Sequence, residues 1–158
     1  MQPVKRLAQV LAALADAEHC LFTLADLQGA LPAQGRGAFK AMVSRAQRDG
    51  LLRRVCRGLY LYPSAGAAGG LLLYHAAARL RADQFNYISL ESVLSDAGVI
   101  SQLPMNWITV MSSGRSHVLP CGDFGHIEFV HTKEQPAAVA DRLTYDSRCR
   151  MWRASVAL

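Results

Sequence analysis

The segment GLLRRVCRGLYLYP, residues 50–63, constrains the fold more than any other stretch of this 158-residue chain. Its Leu, Val and Tyr content is that of β-strand, in two short runs at about 51–56 and 59–62. Gly58 follows Arg57 at their junction, where a glycine supplies the positive φ that a tight hairpin turn demands. Arg53, Arg54 and Arg57 nevertheless place three permanent charges on one small hairpin, and the surrounding sequence must say what those charges face.

The residues before the hairpin read as three helices and one short strand. Lys5-Arg6 followed by LAQVLAALADA imitates a secretory signal, but Gln9 and Asp16 interrupt the apolar stretch. Val4, Leu7, Ala8, Leu11, Leu14 and Ala15 instead recur along one face of an amphipathic core helix. HCLF at 19–22 is an extended piece, and Thr23 with Asp26 three residues on forms the N-cap of LADLQGAL. Pro32, Gly35 and Gly37 mark a break. A third helix, about Ala38 to Asp49, then turns Phe39, Met42, Val43 and Ala46 one way and Lys40, Ser44, Arg45 and Arg48 the other, and Gly50 ends it.

Helix, short strand, helix, helix and hairpin is the order of a winged helix-turn-helix, with 38–49 as recognition helix and the hairpin as wing. Charge points the same way. Residues 1–62 hold nine Lys/Arg against four Asp/Glu, whereas residues 63–158 hold eight of each, so the whole surplus is N-terminal. Arg36, Lys40, Arg45, Arg48, Arg53, Arg54 and Arg57 share their stretch with the single acid Asp49, the electrostatic footprint of a protein that binds double-stranded DNA. The expected contacts are Lys40, Ser44, Arg45 and Arg48 in the major groove and the wing arginines along the phosphates, one at the tip entering the minor groove. Two copies on an inverted repeat fit such a module. A solvated basic face is the other reading of the same charges.

PSAGAAGG at 63–70 is a small-residue linker, which predicts a DNA-binding domain over 1–63 and a second, mixed α+β domain over 71–158. The second begins with a helix at about 71–82. In FNYISLESVLSDAGVI, Ser89 caps a further helix with Leu90, Val93, Leu94 and Ala97 at core spacing, stopped by Gly98. NWITVMSS, HVLP at 117–120 and HIEFVHT read as strands, Pro136 starts a short helix to about Leu143, and CRMWRASVAL closes the chain. The scattered Cys20, Cys56, Cys121 and Cys149 do not make a disulfide framework and suit a reducing cytoplasm. No apolar run reaches the ~20 residues of a membrane span.

FTLADL, GLLRRVCRGLYLYP, YISLESVLSDAGVI, ITVMSSGRS and FGHIEFVH, in this order between about Cys20 and His131, resemble the AbiEi antitoxin family of type IV toxin–antitoxin systems, with a fainter echo in RMWRAS. The resemblance implies an N-terminal winged helix-turn-helix that represses the operon encoding both partners, and a C-terminal domain that antagonises a nucleotidyltransferase toxin. Similar proteins continue beyond RASVAL through a further helix and tail, so the resemblance implies a shortened form or a fragment. Its linker is also longer and richer in glycine than the family pattern.

Catalytic and cofactor chemistry is not what this sequence points to. GxSxG, P-loop and HExxH patterns are missing, as is a tight carboxylate cluster. His117, Cys121, His126 and His131 lie near one another in sequence, but strand alternation turns His126 and Glu128 to one face and His131 to the other, so no metal is expected. SSGRS offers Ser113 and Arg115 as an anion or partner contact, against a plain hairpin connection with one solvated Arg. That loop supports the alternative to an antitoxin, a regulator sensing a small anion near Arg115. Trp107, Tyr87, Phe124, Phe129 and Trp152 are read as core, and any that are exposed together would mark a partner surface.

Overall fold

The computed structural model describes residues 3–16, 19–31, 35–65, 71–88 and 107–154. The chain is mixed α and β and forms two compact units, Met1–Gly69 and Gly70–Leu158. In the first, helix α1 (Pro3–Leu14) leads to strand β1 (Leu21–Thr23), helices α2 (Leu24–Ala30) and α3 (Arg36–Arg48), and strands β2 (Arg53–Cys56) and β3 (Leu59–Leu61). The three strands form an antiparallel sheet in the order β1-β3-β2.

One cluster holds this unit together. Leu7 and Leu11 of α1, Leu27 of α2 and Phe39, Met42, Val43 and Ala46 of α3 are buried with Leu31, Leu52, Tyr60 and Tyr62. Spacing of three and four residues puts each set on one helix face, which drives the three helices together as water leaves their apolar surfaces. Leu14 departs from the expected pattern: it is the last residue of α1 and lies exposed, beyond the reach of the core. Val10 packs on the cluster instead.

Both ends of the short helix pair are explained by local chemistry. Thr23 caps α2 with a full capping box: Asp26 N–H donates to the Thr23 hydroxyl at 3.1 Å, and Thr23 N–H donates to the Asp26 carboxylate at 2.9 Å. Helix α3 ends in a Schellman motif. Gly50, at φ +78°, donates to the Gln47 carbonyl, and Leu51 N–H donates to the Ala46 carbonyl at 2.9 Å. That turn delays β2 to Arg53, two residues later than the sequence predicts, because Leu51 and Leu52 are still closing the helix. At its other end α3 starts at Arg36, two residues earlier than predicted, with Gly37 inside its first turn.

The predicted linker opens with a 3-10 turn, Pro63–Ala65, and its remaining residues lie outside those described. So does the helix predicted from Ser89 to Gly98. In the second unit, α4 (Leu72–Leu80) precedes strands β4 (Asn86–Ile88), β5 (Trp107–Ser112), β6 (His117–Pro120) and β7 (His126–His131). After the one-turn helix α5 (Pro136–Val139) come β8 (Leu143–Asp146) and β9 (Met151–Ala154). The six strands run in the order β6-β7-β5-β4-β9-β8, with β5–β7 and β4–β9 parallel and the other pairs antiparallel. Helix α4 packs on β5 and β7 and buries Leu72, Leu73, Ala76 and Ala77.

Three sequence expectations fail in this unit, the first being Trp152, read as core but 45% exposed because it stands on the outer end of the sheet in β9. The helix predicted from Pro136 to Leu143 stops at Val139, passes through a 3-10 turn, and becomes strand β8 at Leu143. SSGRS is not a hairpin connection either: β7 lies between β5 and β6, so the loop steps across the end of β7. It is fixed there by His131 N–H to the Ser116 hydroxyl at 2.9 Å and by the His131 Nδ1–H to the Gly114 carbonyl at 2.9 Å.

The β8–β9 turn is organised by Asp146, whose carboxylate accepts from Arg148 N–H at 2.9 Å and from the Arg153 guanidinium at 3.1 Å. Desolvation pushes its carboxyl up, but bonds from Cys149, Arg148 and Arg153 outweigh this and leave it below the ordinary carboxylate value. His75 of α4 reaches the same turn, its Nε2–H donating to the Arg148 carbonyl at 2.6 Å. Burial, helped by the nearby Arg150, lowers its affinity for a proton below the ordinary imidazole value of 6.5 despite that bond.

Two predictions follow from these contacts. Thr23→Ala removes the N-cap of α2 and should destabilise the first unit by about 1 kcal/mol, measured by urea unfolding. In the second unit, His75 and Asp146 both make the fold less stable towards acid. His75 is kept neutral by the fold, so the unfolded chain binds its proton first, and stability should fall as pH drops below 6.5. Asp146 contributes fully above its unfolded value of 3.8 and loses that contribution as pH falls further. Unfolding free energies measured across pH should show both declines, the first absent in His75→Asn and the second in Asp146→Asn.

Candidate nucleic-acid interface

Helix α3 separates two chemistries. Its buried face carries Phe39, Met42, Val43 and Ala46; Arg36, Lys40, Ser44 and Arg48, spaced four apart, are all exposed, as is Arg45. Spacing of four aligns side chains in a single ridge, so the cations follow one another along the outside of the helix. Arg45 and Arg48 also sit in the last turn, where positive charge complements the helix dipole and helps the helix itself.

The hairpin adds a second row of charge by a local irregularity. Arg54 pairs with Tyr60 and Cys56 with Leu59, so Val55 is one extra residue on β2, a β-bulge. Regular alternation would send Arg53 and Val55 to one face and Arg54 and Cys56 to the other. Arg53 and Arg54, in regular register with Leu61 and Tyr60, are both exposed, and the bulge after them leaves Val55 and Cys56 both buried. Sequence reasoning missed this device, since alternation alone gives no sign of where a strand gains a residue.

At the tip, Arg57 is exposed and Gly58 has φ +80°. Arg57 is outside the positive-φ region, so the turn is not the twin left-handed type that most two-residue hairpins use. The tip is also tied down: Leu24 N–H, at the start of α2, donates to the Gly58 carbonyl at 3.2 Å. Hairpin and α2 are therefore joined where Arg57 emerges.

Among the described residues, Arg36, Lys40, Arg45, Arg48, Arg54 and Arg57 make no ion pair. Their charges are open to solvent and to any polyanion. Lys5 and Arg6 of α1 are exposed in the same unit and add two cations beyond the expected contacts; the sequence pattern of α1 signals only its core face.

The second unit treats its predicted contacts differently. The Ser113 hydroxyl accepts from Phe85 N–H at 3.1 Å, and the neighbouring Ser112 hydroxyl is buried between Gly114 N–H at 3.1 Å and the Arg81 guanidinium at 3.2 Å. Arg81 in turn lies over the Phe129 ring at 4.0 Å. Arg115 is exposed. Ser113 and His131 line an open cleft of ≈ 430 Å³ with Phe85, Lys133 and Glu134. His126 stacks on Trp107 with ring centroids 5.0 Å apart, Cys121 is buried and His117 is exposed, so these side chains are dispersed. Among the described residues no three His, Cys, Asp or Glu side chains converge as a metal site.

Residues 9–63 match the family described as a transcriptional regulator, AbiEi antitoxin, a span that runs from α1 through the hairpin. Neither a curated protein nor a solved structure matches the chain. No helix among the described residues is long and apolar enough to cross a membrane.

Because these cations are exposed and do not hold the fold together, replacing Lys40, Arg54 or Arg57 singly by Ala should change unfolding free energy by no more than about 0.5 kcal/mol. Thermal and urea unfolding of the variants check this, and it separates a binding surface from a structural one.

Proposed function

We propose, from the AbiEi antitoxin family of residues 9–63, that this protein is a DNA-binding antitoxin of a type IV toxin–antitoxin system and represses its own operon. In this reading the first unit is a winged helix-turn-helix. Helix α3 lies in the major groove with Lys40, Ser44, Arg45 and Arg48 towards bases and phosphates, and Arg36 at its start meets the backbone. Arg53, Arg54 and Arg57 follow the adjoining phosphates. The tie between Gly58 and Leu24 keeps the tip beside α2, which favours a phosphate contact for Arg57 over deep entry into the minor groove. The second unit antagonises a nucleotidyltransferase toxin in the cytoplasm, and two copies bind an inverted repeat.

The observation that carries this reading is the division of α3 into a buried apolar face and an exposed ridge of cations without ion pairs. Counterion release from phosphates then supplies most of the affinity and makes it depend steeply on salt. A second reading, a regulator that senses a small anion, draws on the ≈ 430 Å³ cleft bearing His131 and Lys133. Operator affinity that changes with a bound metabolite would favour it, and a neighbouring nucleotidyltransferase gene would favour the first.

Binding of the full chain to DNA upstream of its own gene, titrated over salt concentration, is the test. Arg48→Ala and Arg57→Ala should each weaken binding, and loss of a phosphate contact should reduce the salt slope by about 1. Wild-type affinity and slope in both variants would exclude the proposed groove geometry. Co-expression with the adjacent gene, scored for growth, tests the antitoxin half: rescue is expected, and continued arrest would remove it.

A further inference from the structure

The outer end of the six-stranded sheet presents two large aromatics to water. Tyr145 of β8 and Trp152 of β9 face each other in the ladder and are 51% and 45% exposed, with ring centroids 5.3 Å apart in an edge-on arrangement. Exposure of one such residue is ordinary, but two together form an apolar patch of the kind that partners cover. Trp152 and Phe85 also stand between two recesses. One, of ≈ 170 Å³, is lined only by Phe85, Pro136, Ala140, Leu143 and Trp152. The other, of ≈ 220 Å³, adds Tyr145, Met151 and Arg150.

Charge identifies what would lie there. Arg150 is held in the left-handed region, φ 58°, at the end of the β8–β9 turn and lines the second recess. Arg148 is exposed in the same turn, and Arg142, next to Asp141, is exposed just before β8. The acid at the turn, Asp146, is occupied by Arg153, by backbone N–H groups and by Arg148, whose Nε lies 3.6 Å from the carboxylate. The hairpin therefore keeps an excess of guanidinium beside its aromatics. Among the described residues β8 is also the edge of its sheet, with a row of backbone groups open on its outer side.

We propose that this groove docks an extended acidic segment of a partner protein. The segment adds to the edge of β8, seats an aliphatic side chain in the apolar recess beside Trp152, and sets a carboxylate against Arg150. A recess lined almost entirely by apolar surface suits an aliphatic side chain better than a phosphate, which favours a peptide over single-stranded nucleic acid. The proposal does not depend on DNA binding by the first unit.

The test uses the full chain and a short labelled peptide alternating Glu with Val, followed by fluorescence anisotropy. Binding is expected, weakened on the order of tenfold by Trp152→Ala and by Arg150→Glu. Circular dichroism confirms folding of both, and Arg150→Glu, a surface change, decides the matter if Trp152→Ala does not fold. Equal binding of a control peptide alternating Lys with Val, preference for a single-stranded oligonucleotide, or unchanged affinity in Arg150→Glu would each overturn the proposal. So would self-association of the wild type that competes with the peptide and disappears in the Trp152 variant, because the occupant would then be a second copy.

Discussion

The first unit depends on the burial of one side of α3. Phe39, Met42, Val43 and Ala46 share a core with α1 and α2, and removal of their apolar surface from water is what holds that helix in place. Because the helix is fixed by its inward face, its outward face is free to be chosen by chemistry other than folding. Arg36, Lys40, Ser44, Arg45 and Arg48 occupy that freedom. The Schellman turn at Gly50 carries the constraint onward, since Leu51 both closes α3 and packs against the core before β2 begins. Position of the helix and position of the sheet are in this way set by a single turn.

Much of this was legible because helical spacing is a strong signal. The inward residues of α3, the Thr23–Asp26 capping box and the glycines at 50 and 58 each rest on a rule tying residue type to backbone state, and each is found. The sequence places the start of α3 two residues late, because Gly35 and Gly37 together read as a break. Gly35 is the N-cap, while Gly37 sits within the first turn. The site was harder to read than the helix. Burial and charge separate along α3 by periodicity, but on β2 they separate through one unpaired residue that no pattern announces.

The second unit was less legible because its sheet is assembled from distant pieces. β4 and β9 are parallel neighbours far apart in sequence, and β5 and β7 are parallel with the intervening strand β6 placed outside them. Strand propensity locates such pieces without giving their order. LTYD, the sequence of β8, alternates Leu and Tyr with Thr and Asp, but it is only four residues long and follows a Pro-initiated helix whose pattern runs on to Leu143; pairing with MWRA across the Asp146 turn makes it a strand. The same pairing brings Tyr145 to Trp152, two residues that composition alone assigned no relation.

The bulge at Val55 also bears on how related chains should be compared. A relative one residue shorter between Arg54 and Gly58 would restore strict pleating and send the two residues after Arg54 to opposite faces, where Val55 and Cys56 are both buried here. An alignment gap at that point thus marks a changed surface even where every arginine is retained, whereas loss of an arginine with the spacing intact alters the charge and leaves the scaffold as it was.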